Sequence, residues 1–198
     1  MSLSSMLSLI LFVAVATGTP GGATTTAAAS GARFGFRRSI PLMAGLVAGL
    51  ATLAALSAAG LASVLLAAPF MQTALKTIGT LYLIWLAWQI GRRGVPMIKT
   101  GLDGPASWLS GACLQWLNPK AWAMTLSAAA SFAVVAGGPG QLALWLGVAF
   151  GIAACVTLTL WCIAGTLIAR RLRTAAHWRV FNSTMAVLLI TSIIPMWR

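Results

Sequence analysis

The feature that most constrains this chain is a series of long stretches that contain almost no charged residues. Several match the length of about 20 mainly apolar residues with which an α-helix crosses the hydrocarbon core of a bilayer. Only 7% of the 198 residues are charged and 60% are hydrophobic, whereas a soluble domain carries about 25% charged residues. Lipid is therefore the expected solvent, and it requires backbone N–H and C=O groups to be bonded within the protein. The sequence predicts an all-α integral membrane protein.

The apolar stretches indicate a single transmembrane domain over residues 1–198, with about six helices. The first stretch is interrupted at Thr19-Pro20-Gly21-Gly22, and the fourth contains a single lysine. The helices are predicted at residues 3–31, 39–67, 72–91, 106–135, 142–169 and 180–197.

The basic residues predict the orientation of these helices. They gather in the first, third and fifth connections, whereas the second and fourth are short and uncharged. Connections rich in Arg and Lys stay in the cytoplasm, so both termini are predicted to lie outside an inner (cytoplasmic) membrane. The three connections hold ten of the thirteen basic residues: Arg33, Arg37, Arg38, Arg92, Arg93, Lys99, Arg170, Arg171, Arg173 and Arg179.

Composition also excludes some functions. The formal charge of +12, against the single acid Asp103, invites a nucleic-acid-binding interpretation. Such proteins gather basic residues on one face of a soluble fold, but here they lie in short clusters between apolar stretches, so no nucleic-acid partner is expected. The three cysteines lie in apolar stretches without a CxxC motif or a Cys/His pair. Neither a metal site nor a cofactor is predicted.

Two features indicate an internal repeat. Two sets of three helices would have inverted topology, because three is odd. Pro20 and Pro119 lie in the first helix of each half, and the second helices carry Gly-xxx-Gly motifs at residues 45–49 and 147–151. These motifs allow helices to approach closely. The approach is either within one chain or between two copies, so a homo-oligomer remains one of two alternatives.

The two prolines predict interruptions inside the membrane. Proline lacks an N–H and clashes with the carbonyl four residues earlier, and in lipid the freed groups need partners from protein, water or a ligand. Paired Pro/Gly interruptions in corresponding helices indicate a transporter's substrate site. Two glycines follow Pro20, so a complete break is predicted there, whereas at Pro119 a kink and a break remain alternatives.

Lys120 lies well inside the fourth predicted helix, next to Asn118, whose amide is both donor and acceptor. An intramembrane charge is costly and is a candidate for function, although a long side chain can also extend to the membrane surface. No Asp or Glu lies in any predicted helix. The ammonium group therefore has no carboxylate partner within these helices and is able to receive the carboxylate of a substrate.

Several segments together resemble one transporter family. They are residues 19–21 (Thr-Pro-Gly), 30–39 (SGARFGFRRS), Gly79 with 82–88 (YLIWLAW), 115–122 (QWLNPKAW), and 181–182 with 185–186 (FN and MA). In these segments, which span most of the chain, the sequence resembles the LysE/RhtB exporters. The resemblance implies six helices and efflux of amino acids or their derivatives, driven by the proton gradient, as in homoserine/threonine and cysteine/O-acetylserine exporters.

One departure from the family concerns the first break. Where the family usually has Pro-Gly-Pro-Asn-Asn, this chain has Pro20-Gly21-Gly22-Ala23-Thr24. If the missing amides contact substrate, selectivity or activity changes. Thr24 and the two threonines that follow either supply hydroxyl groups instead or only cap the second half-helix.

The predicted function is that of a secondary transporter, not an enzyme, that exports amino acids or their derivatives by alternating access with proton coupling. Lys120 and the substrate amine are both candidate proton carriers. A non-catalytic membrane assembly subunit is the alternative that the departure keeps open. An intramembrane enzyme is less favoured, because the predicted helices lack a nucleophile–base pair, paired carboxylates or metal ligands. The predicted substrate-binding residues are Pro20, Gly21, Gly22, Thr24, Asn118, Pro119 and Lys120.

Overall fold

The structure, a computed structural model, describes residues 3–61, 69–92, 106–133, 136–172, 174–191 and 193–194. In these residues the regular structure is helical throughout, which confirms the predicted all-α class. A π-helical turn, Ser57–Leu61, extends the third α-helix. The α-helices are α1 (Leu3–Gly18), α2 (Gly22–Phe34), α3 (Phe36–Leu56), α4 (Pro69–Arg92), α5 (Trp108–Trp116), α6 (Pro119–Phe132), α7 (Pro139–Ala169) and α8 (Ala175–Thr191).

The first predicted helix is broken at the predicted place. α1 and α2 meet at an angle of 55°, with Thr19, Pro20 and Gly21 between them. Gly21 has extended backbone angles and forms the N-cap of α2. Because Pro20 cannot donate a backbone hydrogen bond, the α1 ladder ends and a second helix begins in a new direction.

The fourth predicted helix is also broken, so Pro119 marks more than a kink. α5 ends at Trp116, and Asn118, with extended backbone angles, is the N-cap of α6. Pro119 occupies the first position of α6. A missing N–H costs nothing at that position, because the first N–H groups of a helix have no partner within it.

α3 and α7 supply the longest apolar segments. Among the described residues, Phe36–Gly60 and Pro139–Ala169 are each long and apolar enough to cross a membrane, and the bent pair α1–α2 counts as a third such span. On α7 one apolar stripe faces outward, each side chain 51–64% exposed. Such a stripe is suited to contact with lipid tails. It consists of Leu144, Val148, Ile152, Val156 and Leu160.

The helix ends differ from the sequence prediction in a few places. The second helix begins at Phe36, three residues before the predicted start at 39. Its regular part ends at Leu56, before a kink at Gly60, where φ is +123°, a conformation that favours glycine. The last helix begins at Ala175 rather than 180, because residues 175–179 contain no helix breaker. Outside the described residues lie 62–67, 134–135, 195–198, Arg93, Lys99, Asp103 and Arg173.

α3 and α7 contact each other at the centre, and each also receives a broken helix. α2 packs against α7, and α5 packs against α3. Because α2 is in the first half of the chain and α7 in the second, each broken helix lies mainly on the second helix of the opposite half. α4 and α8, the third helices of the halves, contact each other.

Glycines allow the backbones of α2 and α7 to touch. A Cβ atom on Gly31 would collide with the carbonyl oxygen of Cys162, and one on Gly165 would collide with the carbonyl oxygen of Ala28. Thr166 Oγ1 donates to the Gly31 carbonyl oxygen at 3.1 Å. The contact therefore consists of two reciprocal glycine positions and one hydrogen bond between the helices.

Both Gly-xxx-Gly motifs serve packing within the chain. Gly45 and Gly49 face α5, where a Cβ on Gly45 would collide with the carbonyl oxygen of Trp108. Gly147 and Gly151 face α3. A Cβ added to Gly147 would lie 3.3 Å from the Cβ of Ala55, and one added to Gly151 would lie 3.4 Å from the Cβ of Ala51. Of the two interpretations, the described contacts support intrachain packing.

Candidate functional site

Lys120 joins α6 to the broken end of α1. Its Nζ donates to the carbonyl oxygen of Thr19 at 2.7 Å, to Thr19 Oγ1 at 2.6 Å and to the carbonyl oxygen of Pro20 at 3.3 Å. Carbonyl groups at the end of a helix have no N–H partner within it, and this end carries the negative pole of the helix dipole. The ammonium group of Lys120 therefore satisfies and neutralises the end of α1. Trp161 adds a weaker bond from Nε1 to the Gly18 carbonyl oxygen at 3.4 Å.

On the other side of the break, threonine hydroxyls organise the start of α2. The backbone N–H of Gly21 donates to Thr24 Oγ1 at 2.8 Å, and Thr24 Oγ1 donates back to the Gly21 carbonyl oxygen at 3.1 Å. Thr25 Oγ1 donates to the same oxygen at 2.7 Å. Thr24 thus acts in the helix cap, one of the two roles that the sequence left open for it. The N–H groups of the first turn of α2, at Gly22 and Ala23, border the break.

Asn118 and Gln115 form the matching turn between α5 and α6. Asn118 Oδ1 accepts from the backbone N–H of Lys120 at 3.1 Å, and Asn118 Nδ2 donates to Gln115 Oε1 at 3.5 Å. Both side chains are buried, with 3% and 2% of their surface exposed. Asn118 therefore caps α6 and fixes the position from which the Lys120 side chain starts.

The two breaks enclose a small cavity near the middle of the molecule. Its volume is about 30 Å³, enough for one or two water molecules. It lies beside the middle of both long helices, at Leu50 of α3 and at Ala154 and Leu158 of α7. Its polar lining comes from Thr17, Thr19, Gly21, Gly22, Thr24, Gln115, Asn118, Lys120 and Thr157. This cavity is called the central cavity below.

Most of the predicted site residues meet at this point. Gly21, Gly22, Thr24, Asn118 and Lys120 line the central cavity. The carbonyl oxygen of Pro20 contacts the Lys120 ammonium group, whereas Pro119 is buried at the start of α6 and supports the turn.

Four polar residues of this site were missed in the sequence. Thr19 belongs to the interrupted segment, but nothing in the sequence shows that its carbonyl faces residue 120. Gln115 lies one turn before Asn118, and that spacing is a usable signal. Thr17 and Thr157, whose hydroxyl oxygens lie 3.4 Å apart, come from distant helices.

The arrangement is electrically polarised in a way that suits a zwitterion. α1 ends at the break with exposed carbonyl groups, and α2 begins there with N–H groups and the positive pole of its dipole. Lys120 adds a full positive charge, and none of the residues lining the central cavity is acidic. A carboxylate is favoured near Lys120 and the start of α2, and the carbonyl groups at the end of α1 can accept from a ligand's ammonium group once Lys120 turns from them to the carboxylate.

Two long apolar helices, a broken membrane-length helix and a second break that meets it around a lysine are features typical of membrane transport proteins. The family model of the LysE type translocators matches residues 11–192, and the chain belongs to this family. It is 31% identical over 177 residues to the cysteine/O-acetylserine efflux protein of Escherichia coli O139:H28 (strain E24377A / ETEC). The alignment covers 87% of each chain. It is 30% identical, with the same coverage, to those of E. coli K12 and Salmonella typhi. No solved structure matches the chain.

Proposed function

We propose that this protein is a secondary transporter that exports a small amino acid or amino-acid derivative from the cytoplasm across the inner membrane. Its membership of the LysE type translocators supports transport. The relatives named above are efflux proteins for cysteine and O-acetylserine, and we extend that substrate class to this chain. Both compounds are small zwitterions, which matches the polarity of the break between α1 and α2.

The observation that carries this proposal is the position of the Lys120 ammonium group. It bridges the broken end of α1 at the middle of the bundle, with hydrogen bonds of 2.6–3.3 Å to Thr19 and Pro20. A substrate carboxylate competes with these neutral oxygens for the ammonium group, because charged acceptors make stronger hydrogen bonds. The first turn of α2, at Gly22 and Ala23, supplies N–H groups to the same carboxylate.

Movement around this site follows from the volume of the central cavity. About 30 Å³ is too small for an amino acid, so binding requires the helices at the break to move apart. Alternating access provides this movement when the halves rock around a site near the midplane. In this proposal residues 1–198 form one transmembrane domain, and its six spans are arranged as two inverted repeats.

Two features of the packing support the inverted repeat. Each half begins with a broken helix, α1–α2 in the first and α5–α6 in the second. Each broken helix also packs against the long second helix of the opposite half. Reciprocal contacts of this kind are those expected when two halves are related by a two-fold axis in the membrane plane.

The orientation in this proposal places both termini outside and connections one, three and five in the cytoplasm, as the positive-inside rule indicates. Coupling to the proton gradient is part of the proposal. The residues that line the central cavity include no carboxyl or imidazole group, which leaves Lys120 and the substrate's own amine as proton carriers.

The test is flux through the purified protein in liposomes. Vesicles loaded with radiolabelled O-acetylserine, homoserine, threonine or leucine are compared with and without an imposed pH gradient. We expect efflux of one or more small polar amino acids above that of protein-free vesicles, accelerated by the gradient. A well-folded protein that moves none of these compounds under either condition would instead favour the non-catalytic assembly subunit.

A further inference from the structure

A second and larger cavity lies at the other end of α2 from the break. It has a volume of about 290 Å³ and is bounded by α2, α3, α4, α5 and Ala106. This volume exceeds that of the central cavity almost tenfold. Its polar lining consists of Thr26, Ser30, Gln89 and Ser110, and its aromatic lining of Phe34 and Trp85. We call it the inner cavity, because in the orientation proposed above it is at the cytoplasmic end.

Two hydroxyl groups in its wall indicate a polar ligand. Thr26 Oγ1 is buried and has no hydrogen-bond partner among the residues that the structure describes. Ser30 Oγ lies 2.7 Å from Ser39 Oγ, and Ser39 donates its own proton to the Gly35 carbonyl oxygen. Ser30 donates to Ser39 when Ser39 donates to Gly35, and with either donor the Ser30 oxygen keeps a lone pair available as an acceptor. Buried polar groups have at least one hydrogen-bond partner as a rule, so the Thr26 hydroxyl is the group that calls for a polar ligand.

Basic residues lie beside the Phe34 end of this cavity. The Arg33 guanidinium group lies 5.3 Å from the ring centroid of Phe34, which lines the cavity. Arg37 and Arg38 follow at the exposed start of α3. A positive potential at a cavity entrance attracts anionic groups and raises their local concentration.

The inner and central cavities are neighbours. On α2, Ala23 lines the central cavity and Thr26 the inner one, about 4.5 Å apart along the helix axis. On α5, the consecutive residues Leu114 and Gln115 line the inner and the central cavity respectively. The fully buried Leu83 of α4 lies against Gly22, where an added Cβ would be 2.9 Å from its Cδ2. Leu83 thus borders the break from the α4 side.

We propose that the inner cavity is a second binding site for a small zwitterionic amino acid, filled from the cytoplasm before the substrate reaches Lys120. Ser30 accepts a hydrogen bond from the ammonium group, and the Thr26 hydroxyl bonds to the carboxylate. This inference rests on the proposed export function and adds an entry site to it.

Protection of an engineered thiol tests the site without measuring transport. In a variant without Cys113, Cys155 and Cys162, Ala29→Cys places a thiol in the inner cavity. Inverted membrane vesicles expose the cytoplasmic side to a small membrane-impermeant thiol reagent. We expect O-acetylserine to slow labelling of the Ala29→Cys variant. His177→Cys, at an exposed position near the fifth connection, is the matched control and should label at an unchanged rate.

Adding Lys120→Met to the Ala29→Cys variant separates the two sites. Protection that persists assigns the bound amino acid to the inner cavity, and protection that disappears shows that binding at Lys120 caused it and overturns the inference. Absence of protection in a background that still exports O-acetylserine also overturns it, and leaves the export function intact. Protection without any export supports the binding site and contradicts the proposed function.

Thr26→Val tests the contact itself, since valine keeps the shape and removes the hydroxyl. The O-acetylserine concentration for half-maximal protection should rise about ten- to a hundredfold, the value of one hydrogen bond to a charged group. Thr52→Val is the control, because the Thr52 hydroxyl is on the exposed face of α3 and bonds to its own helix at Ala48. An equal effect of both substitutions, or no effect of Thr26→Val, would exclude Thr26 as a ligand contact.

Discussion

Gly165→Ala is expected to destabilise the protein, although alanine is the better helix former. A Cβ at Gly165 would collide with the Ala28 carbonyl oxygen, far inside the 3.4 Å at which ordinary contact begins. The nearest neighbours are backbone atoms of α2, so a side-chain rotation cannot relieve the collision and α2 must move away from α7. Overpacking of this kind costs about 1–3 kcal/mol, while Gly to Ala within a helix gains about 1 kcal/mol.

The net loss is therefore up to about 2 kcal/mol, which for a chain of this size lowers the melting temperature by up to about 8 °C. Thermal unfolding of the purified protein in detergent, followed by loss of the monodisperse peak in size-exclusion chromatography, measures this shift. Gly140→Ala is the matched control in the same helix, because an added Cβ there meets nothing within 4 Å. A Gly165→Ala protein as stable as the Gly140→Ala protein would refute the backbone contact between α2 and α7.

Two further predictions concern topology and specificity. Cysteine at position 37 should be shielded from a membrane-impermeant thiol reagent in intact cells, whereas cysteine at Gly138 should react; the reverse pattern would invert the proposed orientation. Replacing Gly22-Ala23-Thr24 with Pro-Asn-Asn, as in the family, should raise export or change which amino acid is exported in the liposome assay. An unchanged rate and substrate profile would assign these positions a structural role only.

The local chemistry of the breaks was predictable from the sequence. Proline followed by two glycines predicts the interruption after α1, because it removes a donor and adds flexibility at one point. The absence of acidic residues from the apolar stretches identified Lys120 as a cation with no carboxylate partner there. Loop charge and hydrophobic length were sufficient for the all-α membrane class.

The partners across the structure were not predictable, because they depend on which helices become neighbours. Nothing local in the sequence connects Lys120 with the Thr19 carbonyl oxygen about one hundred residues earlier. Gly165 lies outside any Gly-xxx-Gly motif and nothing in the sequence pairs it with Gly31, yet these two glycines permit the close backbone contact of α2 with α7. At Thr24 the sequence allowed two roles, and only the position of the Gly21 N–H showed that the hydroxyl takes part in the cap.

The most direct test of a substrate-binding role for Lys120 is export by Lys120→Met and Lys120→Arg in liposomes, normalised to the amount of folded protein. Methionine keeps much of the length without the charge, so we expect a folded protein with export abolished. Arginine keeps the charge, but its planar guanidinium group differs from the compact ammonium group, so we expect impaired export. If Lys120 only caps the end of α1, Arg should restore export, since it also donates to Thr19 and Pro20. Normal export by the Met variant would contradict the substrate-binding role outright.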